Sequence, residues 1–313
     1  MATGVGKVSA RLGGVAVWVG VLARGLARHP SKALRATALS CVAVGMLACE
    51  DKAETSRTFA LQHAEHLVTT AAADVAEVRQ GLPEGAKRLE RIWAEHDGRI
   101  EDDPNALRDA LERARNAVQD LRVAKSTFFA LATPSGVVLR NDQEQDAMAG
   151  KLLFEPFPEL ARAARGEYVE TRGVMPEAFG VRGKPDAQWV AAQNVTVDSQ
   201  VRALYVTGWA WSSYAYRLEF ALRGQVRSEL KDARDKLPLL YVFVVVDRAV
   251  YSAPVSPEVN AQAIAELEPL DKLRASDGFS TVLEITGRRF GLGAKLAPAL
   301  GENVAIAVLR SET

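Results

Sequence analysis

The chain has almost no cysteine: 313 residues contain only Cys41 and Cys49, both near the front. Residues 50–313 therefore hold no disulfide, no thiolate nucleophile and no cysteine-ligated metal site. A basic excess is missing too. Residues 1–48 carry six basic side chains (Lys7, Arg11, Arg24, Arg28, Lys32, Arg35) and no acidic one, which leaves 33 basic against 39 acidic on the remainder, a net of −6. A mildly acidic body does not carry the basic face that nucleic acid requires. Long hydrophobic runs are also lacking. The apolar stretch at residues 36–48 is thirteen residues long, and a bilayer span needs about 20. No GxSxG, Walker, paired Ser–Lys or HExxH motif occurs. No nucleophile–base set can be assembled, so the chain is not expected to be an enzyme, and no cofactor or metal is expected.

What is present begins with an address. Lys32 and Arg35 precede the apolar run, and Cys49 closes it. Basic residues, a short apolar core and small residues form the signal-peptide pattern. Met46-Leu47-Ala48-Cys49 resembles a bacterial lipobox, although that pattern prefers Leu where Met46 stands and a small residue where Leu47 stands. Cys49 is the expected lipidation site, with ordinary secretion the alternative. A second apolar run at 13–23 fits neither reading, and translation is expected to begin downstream of Met1.

The body then reads as α+β. Ala60, Ala64, Leu67, Ala71, Val75 and Val78 form one apolar helical stripe, which Gly81, Pro83 and Gly85 are expected to break. Asp103-Pro104 starts another helix, carried by Leu107, Leu111, Ala114, Val118 and Leu121 to about Lys125. Strands are expected at 128–133 and 137–140, a helix at 157–165, and strands at 168–174, 188–197 and 201–211. A helix follows at 214–236. The pattern then returns: strands at 239–246 and 249–253, a helix at 257–274, and strands at 279–286, 289–296 and 304–309. Hairpin, helix and three antiparallel strands thus occur twice. The expected division is 1–49 signal segment, 50–126 helical stalk, 127–213 first unit, 214–237 connecting helix and 238–313 second unit.

A long helix followed by FFALATPSGVVLRND resembles the entry into an extracytoplasmic Cache sensor domain, a PAS-like fold. ELARAARGEYVET resembles that fold's helix-to-strand segment, and QWVAAQNVTVDSQVRALYVTGWAW its closing hairpin. The second unit is similar to the membrane-proximal repeat of the double-Cache arrangement. The resemblance covers residues 55–313 and rests on layout. It implies a small-molecule ligand bound in one repeat and, since no effector module follows, a membrane signalling protein as partner. Amino-acid-binding members carry an Arg, Trp and Tyr cluster followed by an Asp. That cluster is not found here, so the ligand class is not carried over.

Strand alternation over 201–211 puts Tyr205, Thr207, Trp209 and Trp211 on one face. Those aromatics are candidate walls of a ligand pocket; plain packing, or cover by the stalk helix, is the alternative. Arg172 and Arg182 are candidate cations for a carboxylate, against a reading as solvated surface arginine. His63 and His66 share a helix face, but no further metal ligands can be named. Gly291 and Gly293, inside a strand, point to a bulge or a close backbone contact. The function these features support is a lipid-anchored, extracytoplasmic small-molecule sensor without its own effector domain. It would sit on the periplasmic side of the cell envelope, held to the membrane through Cys49. The alternative is a non-catalytic envelope interaction lipoprotein that keeps the fold and has no pocket.

Overall fold

The computed structural model describes residues 52–96, 100–175, 185–230 and 236–312. Cys49 with the expected lipobox, the apolar run before it and Arg182 lie outside the described residues. No described helix is long and apolar enough to cross a membrane.

Helix α1, Lys52–Glu95, is 44 residues long, about 66 Å at 1.5 Å per residue. It runs unbroken through Gly81, Pro83 and Gly85, against the expected interruption. Those glycines serve packing. A Cβ on Gly81 would lie 2.7 Å from Leu121 Cδ2, and one on Gly85 2.7 Å from Tyr205 Cε1. The second expected helix also differs. It divides into α2, Pro104–Ala117, and α3, Gln119–Val123, around an extended Val118. That bend carries Leu121 onto α1 at Gly81. The Asp103 carboxylate caps α2 by accepting from the Asn105 and Ala106 amides at 2.9 and 3.2 Å.

Two five-stranded antiparallel sheets follow. The first contains β1 (Phe128–Ala132), β2 (Val138–Asn141), β3 (Val169–Met175), β4 (Asp186–Val197) and β5 (Gln200–Ala210). The second contains β6 (Leu240–Val246), β7 (Ala249–Ser252), β8 (Phe279–Ile285), β9 (Arg288–Leu296) and β10 (Val304–Ser311). Their orders are β2-β1-β5-β4-β3 and β7-β6-β10-β9-β8, one pattern used twice. Asp198 and Ser199 turn β4 into β5 with φ of 50° and 63°, the left-handed pair that a tight hairpin needs.

Three expected helices differ in detail. Residues 158–165 form a 3₁₀ helix closed by a left-handed Gly166 at φ 93°. The expected 257–274 helix divides into α5, Glu258–Ala265, and α6, Pro269–Leu273. Pro269 has no amide hydrogen to continue the ladder, and Glu268 before it turns left-handed at φ 47°. Between the sheets, α4 (Trp211–Glu229) leaves β5 directly, so Trp211 opens a helix instead of ending a strand. Residues 231–235 lie outside the described set.

Each sheet has two covered faces. One core joins the stripe of α1 to Phe129, Leu131, Trp189, Tyr205 and Trp209 of the first sheet and to Val242, Val244, Ile306 and Val308 of the second. At roughly 1.5–3 kcal/mol per buried large apolar side chain, this shared stripe is the main reason the long helix holds its place. On the far face of the first sheet, Leu204 and Val206 meet Met148, Leu153, Phe157 and Leu160. Phe243 and Leu292 meet Ile264 and Leu273 on the far face of the second. The glycines of β9 form the expected close contact. Cβ atoms on Gly291 and Gly293 would lie 2.2 Å from the Arg57 and Leu61 backbone nitrogens.

Candidate functional site

The aromatics singled out in the sequence lie in the interior. Trp189 and Trp209 pair across β4 and β5, and their rings stack at 4.2 Å and 15°. Tyr214 of α4 stacks on the other face of Trp209 at 4.9 Å and 19°. Its hydroxyl donates to Asp74 Oδ2 of α1 at 2.8 Å, inside the core. Tyr205 packs against Gly85 and lies 5.9 Å from the Phe129 ring. Trp211, at the start of α4, is also buried. Tyr205, Trp209 and Trp211 therefore sit on the α1 side of the first sheet, filled by side chains, and line none of the cavities described below. Burial pushes the Tyr214 phenol well above its ordinary range, and the Asp74 charge adds to the push. Burial also raises the Asp74 carboxyl, partly offset by the hydrogen bond from Tyr214.

Arg172 stands on the edge strand β3, half-buried, with Nη1 4.0 Å from Asp247 Oδ2. Its side chain also runs beside Gly301. It thus faces the second unit and lines none of these cavities.

A cavity of about 360 Å³ opens on the opposite face of the first sheet. Its floor follows from register. Gln188 pairs with Ala210, Phe128 with Gly208 and Ala130 with Asn141, and alternation sends those side chains away from α1. Gln143, Glu144 and Gln145 form the rim, and Thr127, Asp186 and Ser213 complete the wall. The rim is held from beneath. Arg140 Nη1 pairs with Asp146 Oδ2 at 3.1 Å, and its Nη2 donates to the Gln143 and Glu144 carbonyls at 3.0 and 3.3 Å. Asp146 in turn accepts from the Asn141, Met148 and Ala149 amides at 2.8–3.0 Å.

Two features of this cavity are chemically unfinished. Gln188, only 1% exposed, donates from Nε2 to Asp186 Oδ2 at 3.0 Å, but its buried Oε1 accepts no hydrogen bond. A buried carbonyl without a donor costs about 1–3 kcal/mol. Burial raises the Asp186 carboxyl, and the bond from Gln188 offsets part of that rise. No Lys, Arg or His is among the lining residues. None of these positions stands out in the sequence: one Gln in a strand and one Asp at its start are unremarkable until the sheet brings them to Asn141.

A second cavity, about 330 Å³, lies in the second unit among Asp247, Arg248, Glu268, Asp271, Arg274 and Asn303. Its charged side chains are exposed, and Arg274 already pairs with Asp271 at 2.9 Å. Of the histidines, His63 is buried with Nε2 3.3 Å from Arg310 Nη1, and His66 is exposed. Among the described residues no group of three or more His, Cys, Asp or Glu is placed to hold a metal.

No protein-family model matches the chain, and no curated protein matches it in sequence. Solved structures do match in fold. The extracellular domain of histidine kinase vpHK1S-Z8 aligns at 10% identity over 83% of this chain and 92% of its own, with a TM-score of 0.52. A domain of a sensory box/GGDEF family protein from Vibrio parahaemolyticus aligns at 10% identity over 84% and 98%, TM-score 0.51. A structure named methyl-accepting chemotaxis protein X aligns at 15% identity over 84% and 100%, TM-score 0.50. The chain has the fold of these sensor domains: a long N-terminal helix and two PAS-like units, the Cache arrangement.

Proposed function

We propose that residues 50–313 form a small-molecule-binding sensor module, with the ligand in the cavity floored by Asn141 and Gln188. The observation that carries this reading is the buried Gln188 Oε1, which has no hydrogen-bond donor, beside a half-buried Asp186 in a 360 Å³ space. Buried polar groups are ordinarily satisfied, and a ligand's donor completes this one. The module carries no catalytic role in this reading.

The sensor is held on the periplasmic side of the envelope by lipid on Cys49 and acts by changing its contact with a membrane signalling protein. Two or more acyl chains anchor firmly, at about 0.8 kcal/mol per buried CH₂. Labelling cells with a fatty-acid probe tests this: the chain takes up label and Cys49→Ala does not, whereas equal labelling of the two removes the anchor.

A thermal-shift panel of amino acids, organic acids and amines against the full chain tests ligand binding. A ligand at 100 times its Kd adds about 2.7 kcal/mol. A rise in Tm that Gln188→Leu abolishes is the expected result, and silence across the panel rejects the reading. A second reading, an envelope interaction protein, is favoured by one surface feature. Phe220, 70% exposed, and Tyr216 stand one turn apart on α4 with their rings 6.5 Å apart, as in a protein-contact patch.

A further inference from the structure

The polar groups of the Asn141–Gln188 cavity are unequally distributed between donors and acceptors, and the imbalance points to a ligand class. The following rests on the reading of that cavity as a ligand site. Among its buried side-chain atoms the unmet capacity is for accepting: Gln188 Oε1 has no donor. The Asp186 carboxylate receives one side-chain hydrogen bond, from Gln188, and Glu144 adds a second carboxylate at the rim. Three other polar side chains there are engaged locally, while Gln145 and Ser213 also line the space. Thr127 Oγ1 donates to the Gly208 carbonyl at 3.0 Å, Asn141 Oδ1 accepts from the Gln143 amide at 2.9 Å, and Gln143 Nε2 donates to Asp142 at 3.1 Å.

No cationic side chain balances the two carboxylates. The guanidinium of Arg140 is turned beneath the rim to Asp146 and the Gln143 and Glu144 carbonyls. One feature acts in the other direction. Helix α4 begins beside the cavity, and its N-cap, Ala210, offers no side-chain acceptor. A helix N-terminus is worth about half a positive charge, which is outweighed by two carboxylates. A ligand carboxylate would face both acids without an arginine to hold it. An ammonium group meets Asp186 and gives Gln188 Oε1 the donor it lacks.

We infer that the cavity between the first sheet and residues 141–147 takes a primary or secondary amine, its nitrogen donating to Asp186 and to Gln188 Oε1. The uncapped start of α4 gives such an amine a place for a neutral acceptor, such as a hydroxyl, at its other end.

Calorimetric titration of the full chain with ethanolamine and putrescine, against glycolate and succinate as anions of matched length, tests the inference. The expected result is saturable binding of at least one amine. Asp186→Asn, which keeps the side-chain shape, weakens it at least tenfold, and Glu144→Gln, on the exposed rim, weakens it about threefold. Binding of glycolate or succinate in place of the amines overturns the amine class and leaves the ligand-binding reading standing. Amine binding with an unchanged Kd in both variants overturns the placement of the amine at Asp186 in this cavity. Silence of both pairs overturns the amine class, and silence across the wider panel overturns the ligand-binding reading with it.

Discussion

The Tyr214 hydroxyl of α4 donates a 2.8 Å hydrogen bond to the Asp74 carboxylate of α1, with both side chains in the core. It joins the helix that enters the first sheet's core to the helix that leaves it. Removing the hydroxyl leaves a buried carboxylate with one donor fewer. Tyr214→Phe is expected to cost about 1–3 kcal/mol at neutral pH, measured by urea unfolding. The loss shrinks in an Asp74→Asn background, because the charge that needed the donor is gone. An equal loss in both backgrounds shows that the pair is not coupled.

Asp74 also sets a direction in pH. Burial raises its carboxyl in the folded state, so the fold binds its proton more tightly than the unfolded chain does. That contribution favours the fold at low pH and is lost as pH rises through the folded value. Asp74→Asn should therefore gain stability relative to the parent as pH rises, and a constant difference across pH rejects this.

His63 acts oppositely. Burial, and next the Arg310 guanidinium, lower its imidazole from 6.5 to about 4. Glu229 pulls the other way and His66 adds to the lowering. Between those values the unfolded chain binds the proton that the fold refuses, so stability falls as pH drops from about 6.5 towards 4. The cost is on the order of 2–3 kcal/mol at the acid end, and His63→Gln should flatten that part of the profile.

Two glycine substitutions should move stability in opposite directions. Gly293→Ala drives a Cβ to 2.2 Å from the Leu61 nitrogen and 2.3 Å from its Cα. Backbone cannot yield there as a side chain can, so a loss of more than about 2 kcal/mol is expected. Gly224, inside α4, has nothing within 4 Å of the same atom. Gly224→Ala should stabilise by about 0.5–1 kcal/mol through helix propensity. Thermal unfolding of the two variants side by side checks both signs.

The aromatic stack gives a sharper contrast. Tyr205 Oη is buried with no hydrogen-bond partner among the described residues. Tyr205→Phe should leave Tm unchanged or raise it, since it removes a group that nothing satisfies. Trp209→Ala, four residues further along the same strand face, empties the space between Trp189 and Tyr214 and should cost about 3–5 kcal/mol. A Tm drop for Tyr205→Phe comparable to that for Trp209→Ala reveals an unseen partner for the hydroxyl.

Strand positions were legible in the chain because alternation and turn residues are local signals, whereas the order of the strands within each sheet comes only from the structure. The repeat FFALA…VVLR and LLYVFVVV…AVYS placed both hairpins. Helix continuity was not legible. Gly81 and Gly85 look like breakers from within α1; only Leu121 and Tyr205, distant in sequence, show that they make room. Trp211 continues the strand alternation in the sequence, but the sheet stops at Ala210, the last residue of β5, which pairs with Gln188. The cavity was illegible for a related reason. Asn141, Asp186 and Gln188 line one cavity only through register, whereas the aromatic run at 205–211 was conspicuous and lies in the core.

The bare glycines of β9 set the mechanical character of the molecule. Where side chains intervene between a helix and a sheet, rotamers and small slips absorb a displacement. Beneath Ser56, Arg57, Ala60 and Leu61 there is only main chain against main chain. A push that moves α1 along its axis at Tyr205 has no soft layer to be lost in at the other end. The N-terminal half of the helix and β9 thus meet main chain to main chain, the kind of close packing that transmits strain instead of absorbing it.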